Sequence, residues 1–182
     1  MKYLFLLLLG NFLACSGENK NADSDLPPGK VRLKVDDKVI DRGNLDEIML
    51  PLTWWVGVTD SEELYLQGLQ RFSHDQRRVY AVLAYLKEST EQGHYQFFTS
   101  TNKLVRADAL DALKMLNLTE HEAVLQHAIG KISTGKLEDV DFEDEDVNLL
   151  NLTDKANPKK IILDYIGTHR KNFYYEEIVT KP

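Results

Sequence analysis

The chain of 182 residues has a single cysteine, Cys15. One thiol excludes an intrachain disulfide and a cysteine-based zinc site, so stability has to come from packing. An excess of positive charge is missing too, because 22 Lys and Arg stand against 29 Asp and Glu for a net charge of −7 at pH 7. A sequence-independent phosphate binder needs a basic footprint, so direct binding of nucleic acid is not expected. No hydrophobic run is long enough to cross a bilayer. Leu4 to Leu9 is broken by Gly10-Asn11 before Phe12-Leu13-Ala14, whereas a spanning helix needs about 20 apolar residues. Repeats of 20 to 50 residues are absent. What is present is 43% apolar content with a mean hydropathy of −0.36, which excludes both a disordered polyelectrolyte and a polytopic membrane protein. The length suits about one domain. Nothing in the composition asks for a cofactor.

Met1-Lys2 followed by the short apolar stretch reads as an export signal over residues 1–14. Cleavage after Ala14 leaves Cys15 first, and Phe12-Leu13-Ala14-Cys15 resembles the bacterial lipobox, with Phe12 where leucine is usual and Leu13 where a small residue is common. That resemblance implies lipid attachment at Cys15 and a membrane-anchored lipoprotein of the cell envelope. Ser16 after the cysteine is compatible with the outer membrane. Residues 15–29 carry no apolar run and read as a tether, reaching on the order of 20 Å from the bilayer.

Residues 30–58 form an extended or hairpin lead-in, because Val31, Leu33 and Val35 alternate with Arg32 and Lys34 before Val39-Ile40. Trp54-Trp55 reads as a lid on the core. Residues 59–178 change to helical period and predict one mainly α, compact multi-helix domain. Capping boxes are read at Asp60 with Glu63, Ser73 with Gln76, and Thr119 with Glu122. Val79, Val82, Leu83 and Leu86 make one core face, Leu104, Ala107, Leu110 and Leu113 a second, and Val124, Leu125, Ala128, Ile129 and Ile132 a third. Asn157-Pro158 opens a last helix with Ile161, Ile162, Tyr165 and Ile166, closed by Gly167.

Negative charge concentrates between residues 138 and 146, where Glu138, Asp139, Asp141, Glu143, Asp144, Glu145 and Asp146 are seven acids in nine positions. Such a run stays solvated as a loop or an exposed helix start, or it docks a basic protein electrostatically. Other patterns fall short of a site. His121-Glu122 has Leu125 where a second zinc-binding histidine belongs, and His127 lies on a different face. Gly130 to Lys136 has phosphate-loop spacing, but Leu137 replaces the Ser or Thr that would hold magnesium. Asp139, Asp141 and Glu143 begin a calcium loop that lacks its turn glycine and its bidentate glutamate. His74, His94 and His169 have no local nucleophile and read as surface or packed histidines. No catalytic residue and no metal site is therefore assigned. An acid pair that is distant in sequence, serving an envelope hydrolase, is the weaker alternative.

Glu88, Gly93, Gln96, Phe97 and Phe98 resemble the signature of the DNA-mimic protein (DMP) family, a helix ending in Glu followed by two residues, Asn-Gly-Gly-Phe, one residue, Gln and two aromatics. The departures are Glu91 for Asn, Gln92 for the first Gly and His94 for Phe. The resemblance covers roughly residues 50–175. It implies an all-helical, often dimeric fold without catalytic machinery, in which surface acids stand where the phosphates of a DNA duplex would lie. Residues three or four apart on a helix place charges about 5–6 Å from each other, a spacing comparable with neighbouring phosphates. Gly93 is then expected to permit a tight turn, Gln96 to hydrogen-bond it, and Phe97 and Phe98 to pack beneath it. Export argues for a different basic partner from a chromosomal DNA-binding protein. The expectation is a lipid-anchored acidic binding module, with a homodimer as a further implication of the family. The alternative is a cytoplasmic-type mimic that sequesters a DNA-binding protein.

Overall fold

Ser73 starts the longest element of the protein. In the computed structural model, which describes residues 26–56 and 61–180, its hydroxyl accepts from the Gln76 backbone N–H (3.1 Å) and the Gln76 side chain accepts from the Ser73 N–H (2.9 Å). The anticipated capping box is thus formed, and it opens α4 (His74–Thr99). The Ser73 hydroxyl also donates to the Asn172 carbonyl at 2.7 Å, tying the helix start to the 3₁₀ turn Arg170–Phe173. Ser73→Ala is expected to cost about 1–2 kcal/mol, read as the shift of a chemical denaturation midpoint at unchanged slope.

The described chain divides into two units. In the larger, Leu33–Glu177, lie all eight α-helices found among the described residues: α1 (Asp37–Asp41), α2 (Leu45–Val56), α3 (Glu62–Leu69), α4, α5 (Arg106–Met115), α6 (Thr119–Ser133), α7 (Glu143–Ala156) and α8 (Pro158–Thr168). The smaller unit contributes described residues 26–32 and 178–180, where Lys30 Nζ donates to the Thr180 hydroxyl at 2.7 Å. Strand β1 (Lys30–Val35) pairs antiparallel with β2 (Tyr175–Thr180). The strand expected around Val31 to Val35 is present, and its partner comes from the far end of the chain. Val39-Ile40 lies on α1, where Asp36 accepts from the Val39 N–H as its cap.

The mainly α reading stands, with more helices than the caps revealed. Helix α2 occupies the lead-in, with Ile48, Met49, Leu52 and Val56 buried and Pro51 inside the helix. The cap expected at Asp60 falls outside the described residues, and α3 is capped instead by Ser61, which accepts from the Leu64 N–H at 3.2 Å. No capping box forms at Thr119 and Glu122. Thr119 is already helical there, Leu118 precedes it without a side-chain cap, and Glu122 accepts from Gln126. On α5 the buried face is Ala109, Ala112 and Leu113 with flanking Val105 and Leu116, while Ala107 is exposed. The expected phase was offset because Thr101–Val105 is a separate 3₁₀ turn before the α-helix begins. Asn157 caps α8 from a left-handed conformation with Pro158 in the first turn, as its sequence indicated.

The core joins Tyr85, Phe97, Leu113, Leu125, Leu149, Ile162, Ile166 and Phe173, all fully buried. Trp55 does close its edge. The indole N–H donates to the Tyr175 hydroxyl (3.0 Å) and to Glu177 (3.2 Å), and the Arg71 guanidinium lies 3.8 Å over the ring while pairing with Glu177. No helix of the described residues is long and apolar enough to cross a membrane. The leader, Cys15 and most of the tether lie outside the described residues.

Candidate functional site

The signature residues sit at a break in α4. Gly93 has φ 85° and ψ 164°, which separates the helix into two parts. Positive φ favours glycine, and a second constraint acts on the same atom, since a Cβ here would stand 2.8 Å from Asp146 Oδ2. The helix restarts at His94, whose backbone N–H donates to Asp146 Oδ1 at 2.8 Å. Asp146 is therefore an N-cap supplied from α7, 52 residues away in the chain. Its Oδ1 also lies 2.5 Å from His94 Nδ1, and the Tyr85 hydroxyl lies 3.0 Å from Nε2. The pattern fits one tautomer, in which Nδ1–H donates to the carboxylate and Nε2 accepts from tyrosine. Phe142 stacks on the His94 ring at 5.9 Å, and Phe98 lies 6.4 Å away.

The remaining signature residues divide between core and surface. Phe97 and Phe98 are buried, as expected of packing residues. Glu88 accepts from the Ser100 hydroxyl and the Asn102 amide, each at 2.9 Å, and so fixes the turn after α4. Gln96 is exposed, and Asp146 supplies the bonds at the restart that its side chain was expected to make. Of the other histidines, His121 is buried on α6, while the His127 side chain is 69% exposed, so the two do face different ways. Among the described residues no group of three or more His, Cys, Asp or Glu side chains is arranged to hold a metal ion.

The acidic run splits into two sets. Glu138, Asp139, Asp141, Glu143 and Asp144 are exposed, and none of them forms an ion pair with another described residue. Glu145 is only 2% exposed, with Oε2 2.6 Å from Lys131 Nζ and Oε1 2.5 Å from His127 Nδ1. Asp146 is the cap described above. The run thus opens α7 with four acids in its first turn, where the helix dipole favours negative charge. The last two of those acids clamp neighbouring helices, Glu145 holding α6 and Asp146 holding α4. A sequence signal for the inward turn of Glu145 exists, since Phe142, Glu145 and Leu149 share one face at helical spacing. For Asp146 no local signal exists, because its partner is 52 residues away.

These inward contacts set a pH response. Burial pushes the pKa of His94 below its usual 6.5, and this outweighs the opposing pull of Asp146 and Glu145. Burial lowers His121 as well. Burial raises Glu145, but the hydrogen bonds from Lys131 and His127 overcome it and hold the carboxyl below its usual 4.5. A histidine depressed in the fold contributes stability that is complete above about pH 6.5 and is lost as pH falls toward its folded pKa. A depressed glutamate contributes stability that is lost below about pH 4.5. Thermal melts at pH 8, 6, 5 and 4 are expected to show a falling midpoint from about pH 6.5 downward. His94→Phe should lessen the slope of that curve below about pH 6.5, leaving the part that His121 contributes.

The comparisons place this geometry in a family. A search of the curated proteins and a search of the solved structures return no match. The family model described as DMP19-like protein matches residues 70–175, more than half of the chain. That span holds the α4 break, its Asp146 cap and the whole acidic run, and the chain therefore belongs to the DMP19-like protein family, the DNA-mimic family whose signature its residues 88–98 resemble.

Proposed function

We propose that the chain is a non-catalytic, lipid-anchored binding module that docks a basic protein through surface carboxylates. The observation that carries this reading is the ridge of Glu138, Asp139, Asp141, Glu143 and Asp144, five exposed acids without an internal ion-pair partner among the described residues. Membership of a DNA-mimic family supports the use of such a surface. A partner with Lys and Arg side chains supplies the missing counter-charges, and docking of this kind weakens once the Debye length falls below about 8 Å. Among the described residues one histidine, His94, is linked to both a carboxylate and a tyrosine, and it is 0% exposed, so its ring reaches no substrate in the folded chain. That burial supports a binding role over catalysis.

The anchor and the envelope location rest on residues 1–15. Mass spectrometry of the amino terminus of protein isolated from cells tests them, with a chain beginning at an acylated Cys15 as the expected result. Crosslinking in the same cells identifies what the acidic ridge touches. The second reading, a cytoplasmic mimic that occupies a DNA-binding protein, draws on the family membership. It is the correct one if the chain keeps Met1 and crosslinks to a protein of the chromosome.

A further inference from the structure

Helix α7 carries a second feature on the side away from Glu145 and Leu149. Glu143, Val147, Leu150 and Asp154 follow one another at four, three and four residues, so a 3.6-residue turn aligns them in one stripe. All four are exposed, Val147 by 51% and Leu150 by 46%. The buried residues of the same helix, Glu145 and Leu149, lie on its other side. Scattered apolar residues on a surface need no explanation. Here the two aliphatic side chains are bracketed by an acid at each end, about 16 Å apart along the axis, and the stripe begins beside the exposed Asp141 and Asp144.

We infer that this stripe is the specificity-determining part of the docking surface, and that it receives a basic amphipathic helix of the partner protein. The inference rests on the reading above that the acidic ridge is a docking site. Charge complementarity selects the occupant. Carboxylates at both ends call for Lys or Arg at both ends of the incoming segment, with apolar residues between them. Two aliphatic side chains one turn apart match the i, i+3 or i+4 ridge of another helix, which lays its apolar face against theirs. Long-range charge brings the partner in, and the apolar pair sets the register, so a partner of equal charge without helical spacing of its apolar residues binds less well.

Fluorescence anisotropy on the full chain tests this with three labelled peptides of equal net charge. One is an amphipathic Lys/Leu/Ala helix with lysines flanking leucines at helical spacing, the second is the same composition scrambled, and the third is oligolysine. The wild type should bind the helical peptide at least about tenfold more tightly than the scrambled one. Val147→Ser/Leu150→Ser should erase that preference and leave oligolysine binding unchanged. If circular dichroism shows that this variant is unfolded, the milder Val147→Ala/Leu150→Ala provides the test, and it should weaken the helical peptide while leaving oligolysine binding unchanged. Equal affinity of the wild type for the helical and scrambled peptides, or a preference that survives the substitutions, overturns the inference while oligolysine binding keeps the acidic-ridge reading intact. Failure to bind any of the three peptides removes both readings. Self-association that is lost in Val147→Ser/Leu150→Ser assigns the stripe to a second copy of this chain and also overturns the inference.

Discussion

Gly93→Ala is expected to lower the stability of the fold by about 3 kcal/mol, a drop in melting midpoint on the order of 10 °C for a chain of this size. Two independent effects add at one atom. An alanine at φ 85° sits in a region that L-residues rarely adopt, and its Cβ would stand 2.8 Å from Asp146 Oδ2. The carboxylate can turn away to make room, but only by loosening its two bonds to His94. The substitution therefore damages the cap as well as the backbone. Thermal melting and denaturant titration measure the loss. If the variant melts within a degree or two of the wild type, the break at Gly93 is not held as described.

Asp146→Ala is expected to cost about as much by a different route. It leaves a backbone N–H and the ring Nδ1–H of a fully buried histidine without their acceptor, and each unpaired buried donor costs about 1–3 kcal/mol. Asp144→Ala, two residues earlier in the same acidic run, removes an exposed carboxylate and should change stability by less than about 0.5 kcal/mol. The contrast is diagnostic, because charge alone treats the two aspartates alike. The double variant Gly93→Ala/Asp146→Ala should be less damaged than the two losses added together, since removing the carboxylate also removes the clash. Strict additivity would show that Gly93 and Asp146 do not meet.

The parts of this fold that were legible in the sequence are those fixed by near neighbours. Ser73 with Gln76 and Asn157-Pro158 read correctly because a cap is settled within three residues. Helix α2 was hidden because Pro51 argues against a helix interior and the preceding alternation suggests strands. β2 went unread because its partner lies about 145 residues earlier, a pairing that no local pattern encodes. The signature loop was recognisable as a glycine turn over packed aromatics, yet the group that holds it open, Asp146, belongs to a stretch that composition presents as uniform acid. Only helix phase and the placement of Lys131, His127 and His94 divide that stretch into five outward and two inward carboxylates. The outward acids are exposed and form no ion pair with another described residue, so they are free to serve an interaction without weakening the core.

The most direct test of that division is to neutralise the outward set alone, as Glu138→Gln, Asp139→Asn, Asp141→Asn, Glu143→Gln and Asp144→Asn in one chain, and to measure capture of a basic protein by the full-length product at low and high salt alongside its melting midpoint. The expected result is a folded protein with a midpoint close to that of the wild type, from which salt-sensitive capture has disappeared. Capture that persists undiminished from a folded, neutralised chain would contradict it.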